Sequence, residues 1–438
     1  MNRIRSHAPD QAGFGFSQAA RHTRDQPIGQ LIEMALTNPN LISLAPGLVD
    51  HDSLPHEESL KLLEPILADP KTGRAALQYG PTRGDEQLRH LVYNHMARLD
   101  GHKPETYPGA ADQVVITTGS QQGQHLLAEI LLDPGDIVVT GWPSYFVLTG
   151  ALTAWRSEIR AVEMDEHGIL PEKLDDLLAG LAAINQLRRV KVVYVQSYHQ
   201  NPTGRTLADN RRAQILEIVR KHSTHHRILL MEDAAYRELT YTGDAPKTIL
   251  TRDPDMDHTV LMMTFSKPFS PGLRTGYMLL PKDLVNPVLR AKDGRDFGSN
   301  HLAQKLIAAA MQQGVYDKHV KTLCQTYARK AEGMNDGLAR LSRASGLDIK
   351  TTPVRGGLYA WIELPPSIRA DADSELFETA IEQGVLYVPG SYCYPIDPTR
   401  TKPLNTIRLS FGYASPADIT EGMNRLTNAL ATISNKTS

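Results

Sequence analysis

Cysteine is nearly absent: the 438 residues contain two, Cys324 and Cys393, with no CxxC spacing. A disulfide framework or a thiolate zinc site is therefore not expected, and a reducing compartment fits. Charge of one sign is missing too. With 47 basic against 49 acidic residues the formal charge is −2, which gives no overall pull toward nucleic acid or anionic lipid. No stretch approaches the roughly 18 uninterrupted apolar residues that span a bilayer. Residues 1–25, polar and rich in Arg, His and Gln, lack the apolar run of a signal peptide. The chain reads as cytoplasmic, with no membrane and no nucleic-acid partner. Internal repeats and low-complexity linkers are also absent.

What remains has an ordinary globular balance, 41% hydrophobic and 22% charged. The length suits two domains. Residues 1–25 read as an irregular arm. A helical pattern follows at Ile28, Leu31, Ile32 and Ala35 until Asn38-Pro39-Asn40 stops it. From about residue 110, short β-branched runs alternate with amphipathic stretches. The expected strands are 114–117, 137–140, 192–196, 228–232, 260–264 and 276–280. Several are near-continuous apolar runs, as in parallel strands covered on both faces, and the alternation points to an α/β sandwich. Beyond about 296 come long helices, then a strand-containing tail around 359–363, 386–388 and 406–411.

Chemistry concentrates where strands end. In Thr264-Phe265-Ser266-Lys267-Pro268, Lys267 lies just past an apolar strand, where ligands of open α/β sheets gather. Lost hydration and nearby positive charge there lower a lysine pKa and free the amine for Schiff-base chemistry. Arg274 can return to the same spot as a phosphate anchor, with Thr264 and Ser266 as short hydroxyl donors. Taken singly, a lysine and an arginine near a turn are ordinarily just solvated; their company changes the reading. Asp233 ends another buried strand, and such a carboxylate is costly unless it meets a cation. The protonated pyridine nitrogen of pyridoxal 5'-phosphate (PLP) is such a cation. Tyr236 and Asn201, the latter in Gln200-Asn201-Pro202-Thr203-Gly204, can reach that ring's phenolic oxygen. An N-cap role for Asp233 and a plain turn at Asn201 are the bland alternatives.

Ser120, in Gly119-Ser120-Gln121-Gln122-Gly123, reads as the N-cap of a helix whose free N–H groups suit one phosphate. A dinucleotide fingerprint would need Gly-x-Gly-x-x-Gly, which this segment lacks. Tyr145 is an aromatic plate suited to stacking on the ring, unless it is an ordinary half-buried tyrosine. Arg408 shares one strand face with Ser410, opposite Ile407, Leu409 and Phe411, and is placed to grip a carboxylate by two parallel hydrogen bonds; a surface arginine on an edge strand is the competing account. His222, His225 and His226 are flanked by Lys221 and Arg227 and read as a solvated helix end, with no metal expected. His199, beside Gln200, lies near the pocket.

These segments, in this order, resemble the fold-type I PLP enzymes of the class I/II aminotransferases, from about residue 27 onward. Leu77-Gln78-Tyr79-Gly80-Pro81, Thr118-Gly119-Ser120-Gln121-Gln122 and Val354-Arg355-Gly356-Gly357-Leu358 look most like the 2-aminoadipate and kynurenine aminotransferase branch. The resemblance implies an α/β fold of type I: a large domain with a mostly parallel seven-stranded sheet, plus a small α/β domain. The corresponding division is an arm at 1–25, a helix and pocket segment at 26–50, a large domain at 51–330 and a small one at 331–438. It implies Lys267 as the Schiff-base lysine, and Ser120, Gln121, Ser266 and Arg274 at the phosphate. Asp233 would face the ring nitrogen, Asn201 and Tyr236 the phenolic oxygen, and Tyr145 the ring face. Arg408, Gly47 and Asn201 would meet the substrate, and Tyr79 the neighbouring subunit's cofactor, so a homodimer with shared sites follows.

The implied reaction is transamination between an amino acid and a 2-oxo acid, 2-oxoglutarate by analogy. Two alternatives are a lyase, cyclase or decarboxylase on the same fold, and a non-catalytic PLP-binding regulator. Such regulators carry an additional DNA-binding domain, which the roughly 25-residue arm is too short to form. Three departures stand out. Ile28-Gly29-Gln30-Leu31 replaces the branch's I-R-E-L, Ala45-Pro46-Gly47-Leu48-Val49 replaces A-G-G-L-P, and Pro268 follows Lys267 directly. The first two put the donor in doubt, not the chemistry.

Overall fold

A computed structural model describes residues 15–23, 27–38 and 40–437. Its strands, in chain order, are β1 (Ile42–Ser43), β2 (Val114–Thr117), β3 (Ile137–Trp142), β4 (Glu158–Asp165), β5 (Gly168–Ile169), β6 (Val190–Gln196) and β7 (Leu229–Asp233). They continue with β8 (Thr259–Thr264), β9 (Gly276–Leu279), β10 (Lys350–Thr351), β11 (Tyr359–Glu363), β12 (Val385–Leu386), β13 (Val388–Pro389) and β14 (Thr406–Ser410).

The large sheet runs β2-β9-β8-β7-β6-β3-β4-β5. From β8 to β4 every pairing is parallel, and β9 lies antiparallel between β8 and β2. The sheet has eight strands: seven longer ones and the two-residue β5, which adds an antiparallel fringe to the expected seven. Every residue of β2, β7, β8 and β9 is buried, because helices cover both faces. On one face Leu126 and Leu127 of the helix Gly119–Leu131 pack with Val285 and Val288 of Lys282–Asp296. On the other, Leu174, Leu178, Ile215 and Val219 form one cluster, while Leu88, Val92 and Ile307 belong to a second. The parallel order points the strand ends carrying Asp233 and Thr264 to one rim, where open α/β sheets bind ligands.

Three expectations needed correction. The unforeseen strand β4 lies between β3 and the two-residue β5, and its charged and apolar residues mix (Glu158, Ile159, Arg160, Ala161), so no buried run marks it. Residues 18–22 of the arm form a short helix capped by the Ser17 hydroxyl, rather than irregular chain; residues 1–14 and 24–26 lie outside the described residues. His222 is buried, not solvated, with Nε2 2.7 Å from an Asp175 carboxylate oxygen.

A second sheet, β10-β11-β14-β13, is antiparallel, and β1 pairs in parallel with β12. Its core joins Leu31, Leu41 and Leu44 with Met334, Leu338 and Leu341 of the helix Val315–Ser345 and Met423 and Leu426 of Pro416–Thr437. Gly346, left-handed at φ 64°, ends the longer helix.

The segment after β1 is fastened to this second unit at both ends. Leu44 N donates to Leu386 O, and Leu44 O accepts from Ser410 N. Farther on, Asp50 N donates to the Tyr327 hydroxyl, and the Asp50 carboxylate takes a 2.5 Å hydrogen bond from Lys330 Nζ. Burial pushes the Asp50 carboxyl up, but Lys330 and Ser53 outweigh it and hold it below the ordinary range. Lys330→Met strands that carboxylate and is expected to cost about 3 kcal/mol of unfolding free energy at pH 7. Urea titrations should show the gap from the parent protein narrowing below about pH 4, as Asp50 protonates in both and the parent loses the contribution of its depressed pKa.

Candidate active site

The rim of the large sheet and the strand β14 close on one another around a chain of contacts. It begins at Lys267, part-buried two residues beyond the buried Phe265, whose Nζ donates to Gly47 O at 2.9 Å. Gly47 is pressed against the Tyr359 hydroxyl, which occupies the space a side chain would need. Tyr359 Oη is 3.0 Å from Tyr236 Oη, and the Tyr359 ring lies under the Arg408 guanidinium at 4.8 Å.

Arg408 is 1% exposed. Its Nη1 donates to Asn201 Oδ1 at 3.0 Å and its Nη2 to Ala45 O at 2.6 Å, while Nε is buried without a partner. Phe146 covers a further side, its ring 5.3 Å from the guanidinium. Among the described residues no carboxylate pairs with it. The edge-strand alternative fails, since β14 is an inner strand between β11 and β13. A buried cation satisfied only by neutral oxygens carries a desolvation penalty of several kcal/mol that an anion would offset.

Asp233 presents the opposite deficit. It is 2% exposed, and its Oδ2 accepts from Tyr194 Oη at 2.7 Å, Gln124 Nε2 at 3.1 Å and Gln196 Nε2 at 3.3 Å. Its Oδ1 accepts from Ala235 N. Burial still pushes the carboxyl above its usual range despite these donors. No cation among the described residues pairs with it. Gln196 Oε1 accepts from Asn201 N at 3.0 Å, so one side chain links Asp233 to the Asn201 loop. Tyr145 is half-buried; burial pushes its hydroxyl pKa up, and it also feels the charges of Asp233, Arg408 and Arg274. Burial and the neighbouring Tyr359 hydroxyl likewise raise Tyr236 well above its usual value.

A third feature is a cradle of small residues. Gly119, left-handed at φ 72°, begins the helix Gly119–Leu131, and a methyl group there would come within 2.9 Å of Arg274 Nη2. A methyl on Gly276 would come within 2.7 Å of Ser120 N. Arg274 Nη1 is 3.5 Å from Ser266 Oγ, and Thr264 Oγ1 donates to that same oxygen at 3.1 Å. The helix start, Ser120, Ser266 and Arg274 therefore meet in one place. The N-cap is Thr118, not Ser120, which sits inside the first turn. Thr118 makes no side-chain capping bond, which leaves the first-turn N–H groups without that partner. Gln121 is exposed on the same turn. Tyr79 stands apart, 76% exposed, its ring edge-on to Phe297 at 5.5 Å.

Tyr194, Gln196, Gln124, Tyr359, Phe146 and Ala45 were not anticipated. Tyr194 and Gln196 were legible in principle, since alternate positions of β6 share the face of its carboxyl-end neighbour Asp233. The other four depend on tertiary contact.

An anion cradle, a lysine amine, a carboxylate lacking a cation and a guanidinium lacking an anion form the donor set for a phosphorylated pyridinium aldehyde and a carboxylic acid. Comparison with known proteins decides the assignment. Residues 42–426 match the family "Aminotransferase class I and II". The chain belongs to that family. It is 30% identical over 421 residues to the 2-aminoadipate transaminase of Thermus thermophilus, covering 95% of this chain and 96% of the relative. It is 29% identical over 417 residues to aromatic-amino-acid aminotransferase 1 of Thermococcus litoralis, covering 95% and 94%. The solved kynurenine aminotransferase of Pyrococcus horikoshii, in complex with PMP, superposes with a TM-score of 0.85 at 29% identity, covering 95% of this chain and 97% of that one. This aminotransferase thus has the type I fold, uses PLP and transfers amino groups.

Tyr194→Phe removes the shortest bond to Asp233, worth about 1.5 kcal/mol for a charged acceptor. Fluorescence titration of the apoenzyme should show PLP binding weakened about tenfold; unchanged affinity would mean that this bond contributes nothing to cofactor binding.

Proposed function

We propose that the three polar centres divide the work of a two-stage transamination. An amino acid gives up its amino group and leaves as a 2-oxo acid, and a second 2-oxo acid, 2-oxoglutarate, takes the group up. The unpaired guanidinium of Arg408 carries this reading. Its two donors, now on Ala45 O and Asn201 Oδ1, suit the two oxygens of a substrate carboxylate. Gripping that carboxylate would fix the orientation of the substrate's Cα in the site.

Bound PLP supplies an aldehyde carbon that accepts the amine and a cationic ring that withdraws electrons from Cα. The residues do the rest. Lys267 Nζ would hold the cofactor through its aldehyde and, when free, would serve as the base and acid that moves the substrate's Cα proton. Asp233 holds the proton on the ring nitrogen, which offsets the cost of its own burial. Asn201 and Tyr236 donate to the phenolic oxygen, Tyr145 stacks on the ring, and Ser120, Gln121, Thr264, Ser266 and Arg274 receive the phosphate. Gly47 faces the substrate across Tyr359.

The enzyme is proposed to work in the cytoplasm as a homodimer, with a large unit at 51–330 and a small one built from 26–50 and 331–438. Leu77, Tyr79 and Phe297 are 69%, 76% and 57% exposed. That much bare apolar surface close to the phosphate helix supports an interface there, with Tyr79 reaching the partner's phosphate.

Lys267→Ala is expected to abolish transamination and borohydride-trapped cofactor together; label on another lysine would overturn the assignment. Arg408→Ala should raise KM for the amino acid by about 100-fold, the loss of two charge-assisted bonds, with trapping intact. A screen with aromatic amino acids, 2-aminoadipate and kynurenine, read as conversion to the pyridoxamine form, identifies the donor. Mixing Lys267→Ala with Tyr79→Ala should restore activity through hybrid dimers that retain one intact site; no recovery after subunit exchange would argue against shared sites.

A further inference from the structure

His199 is 5% exposed and left-handed at φ 41°, a conformation that few residues other than glycine and asparagine adopt readily. Its ring is keyed into a gap made by two glycines. A side chain on Gly356 would fall on His199 Nε2 and Cε1, and one on Gly357 would come within 2.6 Å of His199 Cβ. The paired glycines of Val354-Arg355-Gly356-Gly357-Leu358 are thus the space the imidazole needs.

Hydrogen bonding defines its tautomer. Thr240 Oγ1 donates to Arg237 O at 2.9 Å, so it accepts from His199 Nε2–H at 2.8 Å. Nδ1 then accepts from the Thr206 hydroxyl at 3.2 Å, and that oxygen takes the His199 backbone N–H at 3.1 Å. The ring is neutral, and burial pushes its pKa down to about 4. Thr240 also bridges to Gly356. The imidazole therefore joins two chain segments that run into the site. Two residues beyond it is Asn201, and two beyond Gly357 is Tyr359; Arg408 bonds the first and lies over the second.

We infer that His199 is a positioning residue for cofactor and substrate, acting through Asn201: the imidazole between Thr206, Thr240 and the Gly356–Gly357 gap sets where the Asn201 amide stands against Arg408 and the cofactor's phenolic oxygen. This rests on the proposed roles of Asn201 and Arg408. It touches neither ligand itself.

The test uses the PLP holoenzyme carrying His199→Asn, His199→Ala, Asn201→Ala, the double variant His199→Asn/Asn201→Ala, and Arg408→Ala. Asparagine tolerates the left-handed backbone, so His199→Asn removes the ring with less strain than alanine. The first readout needs no substrate: the pH midpoint of the holoenzyme's visible absorption band. Losing the Asn201 donor leaves the phenolic oxygen holding the neighbouring proton more tightly, so the midpoint rises. His199→Asn and His199→Ala should raise it in the same direction as Asn201→Ala, and the double variant should rise no further than Asn201→Ala alone. With the donor from the screen, His199→Asn should raise KM about tenfold and change kcat less. The inference is overturned if the His199 variants lower only the thermal midpoint and leave the spectrum in place, or if the His199 and Asn201 shifts add. If Asn201→Ala does not move the midpoint, the role assigned to Asn201 fails. If Arg408→Ala leaves KM unchanged, the carboxylate grip fails while the spectral coupling of His199 to Asn201 still stands or falls by itself.

Discussion

A guanidinium sealed from water without an anion is the constraint around which the rest is arranged. The stem of Arg408 is set by β14 between two neighbours, and aromatic rings of Phe146 and Tyr359 close over it. The neutral oxygens of Ala45 and Asn201 satisfy part of its hydrogen bonding and none of its charge. The folded chain carries that cost, and a carboxylate-bearing ligand relieves it. Binding energy is thereby stored in the protein before any ligand arrives.

Asp233 is the counterpart at the rim of the large sheet. Two buried charges of opposite sign would cancel if they met, but the structure gives each its own neutral partners. Gln196 and Asn201 run between the two sites and touch both networks. A ligand carrying both a cation and a carboxylate would offset both deficits at once. The contact chain from Lys267 through Gly47, Tyr359, Arg408, Asn201 and Gln196 to Asp233 explains why residues from both ends of the sequence build one centre.

Much of this was legible in the residues. Lys267, Asp233 and Asn201 stand out because each closes or follows an apolar run, and parallel strands must deliver such ends to a common rim. Arg408 stood out through period-two alternation. Less legible were side chains whose role depends on register or on a distant partner: Gln124, Tyr359 and the carbonyl of Ala45 carry no local mark. Ser120 reads as a cap in the sequence because a short hydroxyl looks alike at a helix boundary and inside the first turn. His222 misled for a similar reason, since its basic neighbours hid an acidic partner on another helix. β4 escapes because charged and apolar residues mix along it, beside a partner, β5, that pairs with only its last two residues.

The backbone between Leu44 and Asp50 has a further consequence. It lays one carbonyl on Arg408 and another on Lys267, while both of its ends are tied to the second sheet unit. A peptide dipole is a weaker partner for a guanidinium than a full negative charge, so the Ala45 carbonyl is a contact that a carboxylate would outcompete. The carbonyl on Arg408 lies only two residues beyond β1, so the strand that pairs with β12 and the grip on the guanidinium are parts of one short, tied stretch of backbone.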